Sequence, residues 1–168
     1  LNGASPDDWS GNRVDRAGDV NGDGLTDIVI GAPNANNNNI NQAGRTYIAY
    51  GKTDDTNIDL STLKDDKNGF TIDGLVDGEE SGTSVSSIGD INADGIDDII
   101  IGAPLQGAGK AYVIYGEKDR SSNIDLNKIE NGEGGFVIYG NQINEESGTS
   151  IDIGGDINGD GINDIIIG

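Results

Sequence analysis

The chain has 168 residues, with 30 acidic against 10 basic side chains, a formal net charge of −20 and 28 glycines. This acidity argues against nucleic acid as a partner, because phosphate backbones select basic surfaces, and it favours divalent cations or basic surfaces. The lack of cysteine and histidine excludes disulfides, thiolate metal sites and histidine-based acid–base catalysis. No apolar run approaches the roughly 20 residues of a membrane-spanning helix, so no membrane insertion is expected.

Four strand-like stretches follow one another along the chain and then recur. The clearest set consists of residues 83–88, 98–102, 110–115 and 136–139. The second stretch is an unbroken apolar run, typical of a strand buried on both faces, and the last two are rich in aromatic and β-branched residues. The segment "NIDL", at Asn57 and again at Asn123, predicts a short helical turn before the fourth strand. An all-β protein with tight turns is therefore expected.

The strands belong to an internal repeat with a period of about 70 residues. Its marker is an acidic segment found three times, as "GDVNGDGLTDIVIG" from Gly18, "GDINADGIDDIIIG" from Gly89 and "GDINGDGINDIIIG" from Gly155. Four antiparallel strands in a repeat of this length predict a β-propeller blade. One blade cannot bury both of its apolar faces alone, so neighbouring blades stack. A sandwich of irregular strands is the alternative, but it does not predict a repeated unit.

The phase of the repeat predicts the domain organisation. Residues 1–10 are expected to end a preceding blade, and residues 11–76 and 77–142 to form one repeat each, with residues 143–168 the first half of a third. About two and a half blades are too few for a closed ring of 4–8 blades. The expected partners are therefore the remaining blades of a longer parent chain, or neighbouring copies that cover the open sheet edges.

Each acidic segment has the spacing of a calcium loop, with oxygen ligands at positions 1, 3, 5 and 9, a backbone carbonyl at position 7 and glycine at position 6. The predicted ligands are Asp19, Asn21, Asp23, Leu25 and Asp27 in loop 1, Asp90, Asn92, Asp94, Ile96 and Asp98 in loop 2, and Asp156, Asn158, Asp160, Ile162 and Asp164 in loop 3. Because Ca²⁺ accepts irregular oxygen cages and Mg²⁺ prefers a tight octahedron, about three Ca²⁺ sites are expected.

These loops are not EF-hands, because position 12 lacks the bidentate glutamate of that motif. Isoleucine takes this position in all three loops, as Ile30, Ile101 and Ile167. An ordinary Asp/Asn/Gly turn without metal is the alternative, and three copies with an acid or amide at every side-chain ligand position argue against it.

Two pairs of glutamates outside the loops are expected to be solvated, and two charged runs are expected to form loops. The pairs Glu79–Glu80 and Glu145–Glu146 are predicted to be turn residues rather than sites, and residues 64–67 and 117–120 are predicted to be mixed-charge loops.

The succession SGxS, GDxNxDGxxDxxxGAP, GxxYxxYG and GFxIxG resembles the FG-GAP repeat of integrin α-subunits and of many bacterial surface proteins. "GAP" is present at residues 31–33 and 102–104, whereas the "FG" element reads Ser-Gly. The GFxIxG strand and the "IDL" insert are more similar to the bacterial versions. The resemblance covers nearly the whole chain and implies a seven-bladed β-propeller with Ca²⁺ between the first two strands of several blades.

The resemblance also implies a calcium-stabilised, secreted extracellular or cell-surface module for adhesion, with a protein or glycan ligand on loops of the blade faces. One alternative is the non-catalytic propeller of a larger secreted hydrolase or lipase, and another is a structural subunit of a surface layer or filament. Catalysis within this chain is not expected, because the clustered aspartates belong to the loops and no Ser/His or Cys/His pair exists.

Overall fold

The computed structural model describes residues 3–63, 67–118, 120 and 123–168, and these form three antiparallel sheets. The first contains β1 (Arg13–Gly18), β2 (Asp27–Ala32), β3 (Arg45–Ala49) and β4 (Gly69–Asp73); the second contains β5 (Ser84–Gly89), β6 (Asp98–Ala103), β7 (Lys110–Ile114) and β8 (Gly135–Tyr139); the third contains β9 (Ile151–Gly155) and β10 (Asp164–Ile167). Strands are neighbours in chain order within each sheet. The prediction of two blades and half of a third is confirmed.

Both predicted helical turns are present before the fourth strand of a blade. The first is a 3₁₀ turn at Leu60–Thr62 and the second is the helix α1 at Leu126–Glu130. An aspartate caps each of them, because the side chain of Asp59 or Asp125 accepts a backbone N–H of the first turn. Each turn also buries a leucine, which anchors it to its blade.

Strand β6 is buried on both faces, as its unbroken apolar sequence predicts. Ile99 and Ile101 belong to a core cluster shared with the first sheet, which includes Val29 and Ile48. Ile100 points to the other side and belongs to a cluster that includes Ile151 of β9. Because side chains alternate along a strand, one short run of isoleucines holds three sheets together.

Three described residues between β7 and α1 cover the outer edge of the first sheet: Arg120, Asn123 and Ile124. Ile124 forms a parallel bridge with Ile72 of β4, and the side-chain oxygen of Asn123 accepts the N–H of Thr71 at 3.2 Å. The guanidinium of Arg120 lies 5.3 Å from the centre of the Phe70 ring. Paired and covered in this way, the β4 edge is protected from other strands.

One residue of the predicted mixed-charge loop 117–120 is largely buried. The side chain of Arg120 is only 13% exposed because it lies between Phe70 and its ion-pair partner Glu117. Residues 64–66 of the other predicted mixed-charge loop, and residue 119 of this one, lie outside the described residues.

Candidate metal centres

The three acidic loops occupy equivalent places in the three sheets. Each joins the first strand of its sheet to the second, so each lies at the same end of its blade. Immediately before each loop the strand pairing shifts by one residue. The shift falls at a glycine with positive φ, namely Gly18, Gly89 and Gly155. A glycine bulge of this kind bends the strand away from its partner. Each acidic loop therefore leaves its first strand in the same direction.

The carboxylate at position 1 is the centre of each loop. In loop 1, the two oxygens of Asp19 accept the N–H of Asp23 at 3.0 Å and the N–H of Gly24 at 2.8 Å. Asp90 accepts the corresponding pair at 3.0 and 2.7 Å, and Asp156 does so at 3.0 and 2.9 Å. The backbone therefore wraps around the first aspartate in the same way three times.

Positions 3 and 5 continue this wrapping. The side-chain oxygen of Asn21 accepts the N–H of Asp23 at 2.9 Å, and the carboxylate of Asp23 accepts the N–H of Leu25 at 2.8 Å. Loops 2 and 3 repeat both bonds within 0.1 Å. The side chains predicted as ligands at positions 1, 3 and 5 thus all accept backbone N–H groups of their own loop.

Position 9 has a second role that the ligand spacing did not reveal. Asp27 is fully buried, and its two oxygens accept the N–H of Val20 at 3.0 Å and the N–H of Gly51 at 2.7 Å. Asp98 makes the same pair of bonds in loop 2. The aspartate therefore ties the acidic loop to the segment after the third strand.

Electrostatics around position 9 favour a cation. Burial raises the pKa of Asp27 to about 6; bonds from Gly51 and Val20 oppose the shift, and the charges of Asp23 and Asp19 add to it. Burial likewise raises the pKa of Asp98. A buried carboxylate surrounded by other carboxylates is destabilised until a positive charge compensates it.

The side-chain oxygens of the loops are ligands that suit calcium, but they do not form a complete coordination shell. Carboxylate and amide oxygens are the ligands that Ca²⁺ prefers. Within the described part of the chain, however, no three acidic side chains converge closely enough to form a metal cluster, because the carboxylates are directed at backbone amides. The ligand roles of positions 1, 3, 5 and 9, and of the carbonyls of Leu25, Ile96 and Ile162, remain predictions.

The prediction that Glu79 is solvated is wrong. Its side chain is fully buried, and its carboxylate accepts the Tyr112 hydroxyl at 2.5 Å and lies 3.0 Å from the Lys110 ammonium. The N–H groups of Leu75 and Val76 donate to its other oxygen. Burial and the nearby Glu79 raise the pKa of Tyr112, which keeps its hydroxyl protonated as a donor. Local sequence held no signal for the burial, because Tyr112 and Lys110 are more than 30 residues away along the chain.

Repeated sheets of four sequential antiparallel strands, stacked face to face, define this chain as a β-propeller-type repeat protein. A family model for the FG-GAP repeat matches residues 14–48 and 81–114. The chain belongs to the FG-GAP repeat family, as its acidic loops and "GAP" segments indicated.

Similar proteins include integrin α-subunits and one enzyme. The chain is 32% identical over 157 residues to integrin alpha-PS5 of Drosophila melanogaster, covering 90% of this chain and 14% of the relative. It is 33% identical over 129 residues to integrin alpha-6 of Gallus gallus, covering 73% of this chain and 11% of the relative. It is 33% identical over 135 residues to a phosphatidylinositol-glycan-specific phospholipase D of Dictyostelium discoideum, covering 74% of this chain and 14% of the relative.

These relatives are much longer than the region that they share with this chain, which spans 14% or less of each. Among the residues that the structure describes, neither short helical turn has the length to cross a bilayer.

Proposed function

We propose that this chain forms calcium-binding blades of an extracellular β-propeller that serves adhesion or binding to surface proteins. The observation that supports calcium most directly is the hydrogen-bonding pattern common to the three loops. It gives acid and amide oxygens at positions 1, 3 and 5 of every loop backbone N–H partners within that loop. Similarity to integrin α-subunits supports the adhesive role and a location outside the cell.

Calcium has a structural role in this proposal. A cation in each loop would compensate the buried carboxylates Asp27 and Asp98, and it would hold the start of each blade in register with its second strand. At a free concentration of about 100 times the dissociation constant, one ion that binds only the folded chain adds about 2.7 kcal/mol of stability. In a domain of this size, that corresponds to a rise in Tm of about 5–10 °C.

Thermal unfolding with and without calcium tests the proposal. We expect Tm to fall by about 5 °C or more when a chelator replaces excess Ca²⁺, and excess Mg²⁺ to restore little of the loss. Sodium chloride matched for ionic strength controls for screening of the net charge of −20. A melting curve that is the same in chelator and in calcium would contradict the structural role.

A second candidate is the non-catalytic propeller of a larger secreted hydrolase. Similarity to the Dictyostelium phospholipase D favours it. The chain itself is proposed to have no catalytic role, since it lacks histidine and cysteine and its clustered aspartates accept backbone amides. Calcium-dependent adhesion of cells to surfaces coated with the purified chain supports the first candidate. No adhesion at any calcium concentration would favour the second.

A further inference from the structure

Asp97 connects two of the acidic loops. It occupies position 8 of loop 2, between Ile96 and Asp98, and the calcium-loop pattern gives it no role. Its carboxylate accepts the N–H of Asp19, the first residue of loop 1, at 2.8 Å. Its own N–H donates to the carbonyl oxygen of Asp19 at 3.1 Å. Both backbone groups of the central aspartate of loop 1 are therefore held by one residue of loop 2.

Neighbouring contacts strengthen this connection. The carbonyl oxygen of Val20, next to Asp19, accepts the N–H of Glu117 at 3.1 Å. Gly18 allows the close approach, because a Cβ at that position would lie 2.3 Å from the Asp97 carboxylate. The first residues of loop 1 thus rest directly on loop 2 and on the connection that follows β7.

The equivalent junction between loops 2 and 3 is different. There, position 8 is Asn163, whose amide donates to the carbonyl oxygen of Ile88 at 3.4 Å. That carbonyl lies in β5, two residues before the first aspartate of loop 2. Asn163 therefore holds the strand that precedes loop 2 and not Asp90, the residue around which loop 2 wraps.

We propose that Asp97 couples cation binding in loops 1 and 2, so that occupancy of either loop raises the affinity of the other. This inference rests on the proposed function, since it requires that both loops bind Ca²⁺. A cation in loop 2 would restrain the carbonyl of Ile96 and the carboxylate of Asp98, the two neighbours of Asp97. Asp97 would then hold the backbone of Asp19 in place before an ion enters loop 1.

The coupling acts through the conformational entropy that loop 1 loses when it binds its ion. Because Asp19 is already restrained, less conformational freedom is lost when loop 1 binds its ion, and binding is tighter. Coupling of this kind is reciprocal, so loop 1 must favour loop 2 by the same factor. Measured couplings between sites typically begin at about fivefold. Asp97 is a positioning residue in this account, not a ligand.

Site-resolved calcium titration of the full chain tests the coupling. The amides of Gly24, Gly95 and Gly161 each donate to the first aspartate of their own loop. Their resonances in ¹H–¹⁵N NMR spectra therefore report on the three loops separately. The substitution Asp94→Asn weakens loop 2 while keeping an oxygen that can accept the N–H of Ile96.

We expect Asp94→Asn to lower the calcium affinity reported by Gly24 by about fivefold or more. In an Asp97→Ala background, the same substitution should leave that affinity unchanged within about twofold. Asp97→Asn keeps an acceptor for the Asp19 N–H and should preserve the coupling. Asp160→Asn, which weakens loop 3, is the matched control and should change the affinity reported by Gly95 by less than about twofold.

Failure of the proposed calcium binding and failure of the coupling would give different results. If calcium moves none of the three glycine resonances, the proposed function fails and the coupling fails with it. If all three respond, but Asp94→Asn leaves the affinity reported by Gly24 unchanged, only the coupling is overturned. An effect of Asp94→Asn that persists in Asp97→Ala would also overturn it, because the coupling would then bypass Asp97.

Discussion

Glu79 and Glu145 begin the nearly identical segments "EESGTSV" and "EESGTSI", yet they have opposite environments. Both carboxylates accept two backbone N–H groups from the turn before them. Glu79 is fully buried and also contacts Tyr112 and Lys110 of β7, whereas Glu145 is exposed.

The difference lies in what packs against the turn. Tyr112 and Lys110 belong to the third strand of the second sheet, the sheet that Glu79 precedes. The described residues after Glu145 form only the first two strands of the third sheet. The same turn therefore forms before both glutamates, and the contacts of Glu79 with β7 account for its burial and ion pair.

Substitution of the two glutamates is expected to give the largest difference between these regions. Glu79→Ala should lower the free energy of unfolding by about 3 kcal/mol, because it leaves the buried Lys110 ammonium and the Tyr112 hydroxyl without a main partner. Glu130, 2.9 Å from Lys110, keeps the loss at the lower end of the range for buried pairs. Urea unfolding measures the change.

Glu145→Ala is the matched control, because it removes the same turn bonds without a buried partner. We expect a loss of less than about 1 kcal/mol there. Equal losses at the two positions would show that the turn bonds, and not the contacts with β7, account for the effect of Glu79.

The sequence predicted the parts of the fold that depend on neighbouring residues. The Asp/Asn/Gly pattern of the loops and the apolar run of β6 each predicted their local structure. The "NIDL" segment predicted a helical turn, but not that Asn123 and Ile124 would cover the edge of β4. The roles of Glu79 and Asp97 were missed for the same reason. Their partners lie between 31 and 78 residues away, and no local pattern specifies such contacts.

A smaller effect is expected from position 4 of the loops, where loop 2 differs from the others. Ala93 has a φ of 61°, whereas loops 1 and 3 have glycine there. A left-handed conformation costs alanine about 1–2 kcal/mol, and the greater freedom of an unfolded glycine offsets about 0.4–1 kcal/mol of that. Ala93→Gly should therefore stabilise the calcium-free chain by about 0.5 kcal/mol.

The reverse substitution in loop 1, Gly22→Ala, is the control. A Cβ at Gly22 would meet no atom closer than 3.6 Å, so its effect reports on backbone strain alone. A loss of about 0.5 kcal/mol is expected, again measured by urea unfolding. If Ala93→Gly destabilises the chain, a packing role of the Ala93 methyl group outweighs the strain.

The claim that three loops each hold a calcium ion is tested most directly by counting ions. Calorimetric titration of the calcium-free chain should give about three Ca²⁺ per molecule. Asp156→Ala removes the carboxylate around which loop 3 wraps, so it should remove one ion and leave the other two. Absence of calcium binding, or a stoichiometry that Asp156→Ala does not change, would contradict the account.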